Sequence, residues 1–204
     1  MDDDGQVTTE QRERSGRREQ NKAENRTALL KAARAVFAEM GYGAASVRDI
    51  VRRTDLASGT FYNYFDDKEA VFHAVIDATG AEARRRVRTA RRGAGGFAEF
   101  VEAGYRAYFS FIVEDPATFA FMRRNLGAAD VEQVLPLGAA ELEQDLAALA
   151  ERGELPPLDL DYCAHAMVAV GVELGARMAE REPPDVEGAT RFATGLFLAG
   201  VARP

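Results

Sequence analysis

The chain is predicted to be all-α, on three observations. Apolar residues recur at helical spacing along most of its 204 residues, Gly and Pro interrupt that pattern at intervals of a helix length, and no stretch alternates apolar and polar residues as a half-buried strand does. The expected organisation is a polar arm over 1–20, a small helical domain over 21–80 and a larger helical domain over 81–204.

Residues 1–20 carry mixed charge and no apolar period, so a disordered arm is expected, cationic in its second half through Arg12, Arg14, Arg17 and Arg18. From Asn21 a helix is predicted. Leu29, Ala33, Val36, Phe37 and Met40 fall on one stripe, and Gly41 supplies the stop. Ser46, with Asp49 three residues on, opens a second helix as a variant capping box. Val47, Ile50 and Val51 form its apolar face; Arg48 points elsewhere, and Arg52 and Arg53 read as a solvated face. After the tight turn Thr54-Asp55-Leu56, the stretch SGTFYNYF predicts a third helix of about two turns. On it Phe61 and Phe65, four apart, bury one face, while Ser58, Thr60, Tyr62 and Asn63 point away.

Asp66 or Asp67 caps a fourth helix with the stripe Val71, Phe72, Val75 and Ile76. It ends in RRRVRTARR (Arg84–Arg92), which reads as a solvated helix end, with contact of one or two arginines to DNA phosphates or to the larger domain as the alternative, before GAGG at 93–96. Further helices are predicted over Phe97–Glu114, Pro116–Asn125, Val131–Arg152, Leu160–Arg181 and Val186–Ala202, separated by Gly and Pro-Pro breaks.

Composition narrows the function. Apolar content of 47% and charged content of 29% are those of a globular protein, and no apolar run suits a bilayer crossing. The N-terminus MDDDGQ lacks the regions of a signal peptide, so a cytoplasmic protein without membrane association is expected. Cys163 is the single cysteine, and His73 and His165, the only histidines, sit in no metal-ligand or catalytic pattern. Neither metal nor cofactor is expected, and an enzyme is the weaker reading. The net charge of −7 divides into +3 over residues 1–92 and −10 over 93–204. A basic head turned to a polyanion and an acidic body turned away fit that asymmetry.

Two short helices joined by a tight turn, over 46–65, form a helix-turn-helix, whose second helix enters the DNA major groove. This explains the aromatics. A tyrosine hydroxyl on an exposed helix bonds a phosphate oxygen while its ring packs on sugar. Ser58, Gly59 and Thr60 let backbone approach closely and leave N–H and hydroxyl groups for phosphate.

The stretch ASVRDIVRRTDLASGTFYNYFDDKEAVFHAVI resembles the DNA-binding domain of the tetracycline-repressor (TetR) family, and AARAVFAEMGYGAAS resembles its first helix and exit. The resemblance covers about residues 22–80. It implies that Arg48 reaches a base edge, that Thr60 and Asn63 face the groove, and that Tyr62, Tyr64 and Lys68 approach phosphates. With Ser46, Ser58 and Gly59 these make up the expected interface to double-stranded DNA. Arg17 and Arg18 are candidates for a minor-groove arm on charge alone.

For the larger domain the resemblance implies binding of a small effector that lowers DNA affinity. The segment Tyr105–Asn125 is apolar nearly all round, which suits an apolar chamber. Tyr105, Tyr108, Phe109, Phe119, Met122, Arg123 and Met167 are the candidate effector contacts, and the effector is expected to be lipophilic. Val168, Gly171, Val172, Gly175, Phe192, Leu196 and Phe197 suggest an outward apolar surface that a second copy would cover in a four-helix bundle. A homodimer of this kind reads a near-palindromic operator. The reading is a ligand-responsive transcriptional repressor; the alternative is a helical adaptor whose head binds protein.

Overall fold

The computed structural model describes the backbone of residues 4–125 and 128–201, and the side chains of 14–121, 124–125 and 137–200. Among the described residues the regular structure is entirely helical. The helices are α1 (Asp4–Met40), α2 (Val47–Val51), α3 (Ser58–Phe61), α4 (Lys68–Arg91), α5 (Phe97–Glu114), α6 (Pro116–Asn125), α7 (Ala128–Glu151), α8 (Leu160–Ala179) and α9 (Val186–Val201).

Two compact units emerge, one ending at Val75 and the other beginning at Ile76, so the division falls inside α4 rather than at the expected 80/81. The arm expected to lack regular structure is helical from Asp4. Its Glu, Gln and Arg residues favour helix intrinsically, and this part of α1 needs no apolar stripe. The third helix is shorter than the two turns expected: four residues, continued by turn hydrogen bonds from Asn63 and Tyr64 to the carbonyls of Thr60 and Phe61.

The first unit closes around one apolar centre. Leu29, Ala33, Val36 and Phe37 of α1, Ile50 of α2, Phe61 of α3 and Val71 of α4 are fully or nearly fully buried. Phe37 meets Phe72 edge-on with ring centroids 5.4 Å apart, and Phe61 lies 5.7 Å from Phe65. Offset and edge-to-face pairs of this kind add to the burial energy of the rings. The capping box is present: Asp49 N–H donates to Ser46 Oγ at 3.3 Å, and Ser46 N–H donates to Asp49 at 3.1 Å. It fixes where α2 starts and therefore where Arg48 points.

The second unit is a helical bundle in which α5 packs on α8 and α9, and α7 packs on α8. Val101 and Phe109 of α5, Leu142, Leu146 and Leu149 of α7, Met167 of α8 and Ala193 of α9 form its buried centre. Gly171 and Gly175, expected at a dimer interface, are instead buried where α8 crosses α5. A Cβ on Gly171 would stand 3.3 Å from the Tyr105 ring; one on Gly175 would stand 2.6 Å from Ile112 Cδ1. Their smallness serves packing within the chain.

Candidate nucleic-acid interface and effector cavity

The helix-turn-helix presents a continuous polar and aromatic surface. Arg48, Ser58, Gly59, Tyr62 and Asn63 are exposed, and Thr60 is half-buried at their edge. Tyr62 is 60% exposed even though its ring leans edge-on against buried Phe61, a large apolar area to leave in water. A Cβ on Gly59 would meet nothing within 4 Å, so packing within the chain does not require glycine there. Close approach by something outside the chain would.

Ser46 is exposed, but its hydroxyl donates to Asp49 at 2.5 Å, and this bond is the leading cause that holds the Asp49 carboxyl below its usual range. Its first duty is the cap. Arg53 is paired with Glu39 of α1, its Nη1 donating at 2.7 Å, which fixes α2 against α1 and agrees with its reading as no base reader. Arg52 N–H donates to the Arg48 carbonyl at 3.0 Å, while no side-chain hydrogen bond or close ion pair of either arginine is found among the described residues.

Tyr64 is half-buried, and its hydroxyl accepts a hydrogen bond from Asn25 Nδ2 at 3.2 Å. That bond occupies an oxygen lone pair and leaves the O–H to donate outward. Lys68 is also half-buried: Nζ donates to the carbonyls of Tyr42 at 2.8 Å and Ala45 at 3.0 Å. Two of its three protons hold the α1–α2 turn, so one remains for an anion. Asn25 and Tyr42 thus support the surface, and the sequence reading named neither. Arg17 and Arg18 are exposed on α1.

Inside the second unit lies a cavity of about 160 Å³. Of the residues expected there, Tyr105, Tyr108, Phe119 and Met167 line it. Phe109 does not; it is fully buried in the core, stacked on Tyr105 at 5.7 Å. The side chains of Met122 and Arg123 lie outside the described residues. Val168, Gly171 and Val172, expected at the dimer surface, line this cavity instead, because α8 turns that face inward. Phe197 is half-buried and stacks on Tyr105 at 6.1 Å, leaving exposed Phe192 and Leu196 as the outward apolar pair of α9. Tyr105 donates its hydroxyl to the Met167 carbonyl at 2.9 Å, and burial pushes its pKa upward. Burial alone raises that of Tyr108 to about 12.

The polar wall of the cavity comes from a stretch of which one or two arginines were expected to reach DNA phosphates or the larger domain. The arginines read as a solvated helix end divide: Arg85 bonds Glu82, and Arg86 bonds Glu82 and Glu114. Arg84, Arg88 and Arg91 line the cavity with Glu141 and Asp145 of α7. Arg84 and Arg88 both pair with Glu141 at 3.2 Å, while Arg91 is 4.0 Å from Asp145. The signal was present in the spacing: 84, 88 and 91 share one helix face, as do 141 and 145.

The chain thus carries a short helix-turn-helix beside α1, followed in sequence by a helical bundle with a largely apolar cavity. Residues 29–75 match the sequence model of the bacterial regulatory proteins of the tetR family. Regulators of that family bind DNA and act as dimers. Solved structures share the fold over most of both chains. The fatty acid degradation regulator FadR from Bacillus halodurans is 20% identical with a TM-score of 0.74, over 88% of this chain and 97% of that one. A TetR-like transcriptional regulator from Rhodococcus sp. RHA1 is 22% identical with a TM-score of 0.67, over 87% and 96%. A TetR-family regulator from Pectobacterium atrosepticum is 22% identical with a TM-score of 0.62, over 88% and 94%. No helix among the described residues is long and apolar enough to cross a membrane.

Proposed function

We propose that the chain is a ligand-responsive repressor, a dimer released from a near-palindromic operator by a small lipophilic effector. The observation that carries the DNA side is the exposed face of Arg48, Tyr62 and Asn63 around the open space over Gly59. On this reading Arg48 contacts a base edge, Asn63 and Thr60 face the groove, and Tyr62, Tyr64 and the remaining proton of Lys68 hold phosphates. Phe192 and Leu196, four apart and exposed on α9, are the apolar pair that a second copy covers.

The effector side rests on the cavity, lined by aromatic and aliphatic groups in the unit that does not carry the helix-turn-helix. One fold neighbour is a regulator of fatty acid degradation, which agrees with a lipophilic effector. Helix α4 begins in one unit and continues into the other. A coupling of roughly 1–3 kcal/mol between the sites would change DNA affinity about 5–150-fold, enough for a switch.

The test is selection from a genomic-fragment library at two salt concentrations, with Tyr62→Ala alongside. Enrichment of a palindrome that salt weakens and the variant loses is the expected result. The logarithmic salt slope should be about −0.9 per phosphate contact. No enrichment, or a variant that selects like the parent, would reject the reading and favour a protein partner for the head.

A further inference from the structure

Arg91 is a poor fit to a purely structural role. Its side chain is only 13% exposed, and its Nε is buried without a hydrogen-bond partner among the described residues. The single carboxylate near it, Asp145, stands 4.0 Å from Nη1, beyond hydrogen-bond reach. A buried guanidinium donor left unmade costs its full desolvation. Burial accordingly lowers the Arg91 pKa to about 10, against the opposing pull of Asp145.

The space around it is equally specific. The guanidinium lies over the Phe100 ring, 4.6 Å from its centroid, which holds its plane. Its Nε and Nη2 edge faces Gly104, in the middle of α5. A Cβ there would come within 2.5 Å of Nε and 2.7 Å of Nη2, so glycine is what lets the guanidinium lie this close to α5. α5 thus covers Nε, which leaves the Nη1/Nη2 end of the planar fork to take carboxylate oxygens. Around the cavity, among the described residues, Arg84, Arg88 and Arg91 face only Glu141 and Asp145, leaving one positive charge in surplus.

We propose that the effector is an amphiphilic carboxylate, its head group held by the Nη1/Nη2 end of Arg91 and its apolar body by Tyr108, Ile112, Phe119, Met167 and Val168. The inference rests on the reading of this cavity as the effector site and adds the charge of the ligand. Arg91 supplies selection and the aromatic wall supplies burial.

The experiment is calorimetric titration of the full chain with octanoate and, separately, octanol, which has the same chain length without the charge. Octanoate is expected to bind at least tenfold more tightly than octanol. In Arg91→Lys, which keeps a charge but loses the fork, octanoate affinity falls at least tenfold. Gly104→Ala leaves the arginine in the sequence and favours the helix, yet its methyl group displaces the guanidinium from its place against α5. There octanoate affinity drops to that of octanol. Equal binding of the two probes by the parent, binding of neither, or parental octanoate affinity in Gly104→Ala would overturn the proposal. Release of selected operator DNA is followed in parallel. Release by octanol as readily as by octanoate sinks this inference and leaves the repressor standing. Selective octanoate binding without any selected DNA supports the inference and sinks the repressor.

Discussion

Lys68 is bound to Tyr42 twice over: its ammonium donates to the Tyr42 carbonyl at 2.8 Å and lies 4.3 Å from the centroid of the Tyr42 ring. A third contact, to the Ala45 carbonyl at 3.0 Å, closes the loop before α2. Lys68→Met leaves both carbonyls without this donor and is expected to destabilise the head by ~1–3 kcal/mol. A thermal melt should show a lower midpoint, with Lys68→Arg between variant and parent. An unchanged melt in Lys68→Met would mean that the ammonium does not hold the loop.

Two glycines separate packing from recognition. Gly175→Ala drives a methyl group to within 2.6 Å of Ile112 Cδ1 and 3.2 Å of Tyr108, and should cost ~1–3 kcal/mol of stability. Gly59→Ala meets nothing within 4 Å and should leave the melt at or above that of the parent. It should nevertheless weaken operator binding severalfold. Denaturation curves and DNA titrations on the two variants check the pair, and a Gly59→Ala protein with undiminished affinity would count against close backbone approach.

Acid stability has a named contributor in Glu82. Hydrogen bonds from Arg85 first and Arg86 second lower its pKa from 4.5 to about 2. Because the folded value is depressed, the stabilisation is fully present above about pH 4.5 and is lost as pH falls toward about 2. The side chain is 36% exposed, so solvent screening holds the contribution below ~1 kcal/mol. Glu82→Gln should show a smaller loss of melting temperature than the parent between pH 5 and 3, roughly the span of this titration.

In the proposed dimer the outward pair on α9 is the contact between copies. Phe192 is 63% exposed and Leu196 48%, on one helix face. Replacing both with Arg should shift the protein from dimer to monomer in sedimentation at micromolar concentration and abolish cooperative occupation of both half-sites. A dimer that survives both changes would place its interface elsewhere.

The Arg91–Asp145 pair should be dispensable for folding. Buried ion pairs replaced by apolar groups of similar volume are often neutral or stabilising by about 1–4 kcal/mol. Arg91→Met with Asp145→Leu is therefore expected to melt no lower than the parent, while discrimination between octanoate and octanol disappears. A sharp loss of stability would instead make the pair a structural element.

Much of this was legible before any coordinates. The bounds of α5 and α6 follow from Pro116, the GAGG break and the loss of apolar pattern, and Ser46 and Asp49 announced the start of α2. Elements marked by caps and breakers are local, and local chemistry is what a sequence displays. Helix over 4–20 was missed because its stability rests on intrinsic propensity, which leaves no apolar stripe to find. Gly171 and Gly175 signalled close helix approach, but which helix approaches depends on chain folding, and α5 takes the place assigned to a second copy. Which of the arginines line the cavity was hidden for the same reason. Arginines 84, 88 and 91 share a face in any helix, yet only the position of α7 turns that face into the lining of a chamber.

The surplus positive charge of that chamber also decides what is turned away. Aromatic walls such as Tyr108 and Phe119 ordinarily welcome an organic ammonium, which gains by lying over ring faces. Here such a guest would meet arginines that Glu141 and Asp145 do not fully neutralise, in surroundings where like charges repel strongly. Octylamine, with the same tail as octanoate, should then be the worst guest of the series. A sensor built this way ignores amines however greasy they are, and its silence toward them is as informative to a cell as its response to acids.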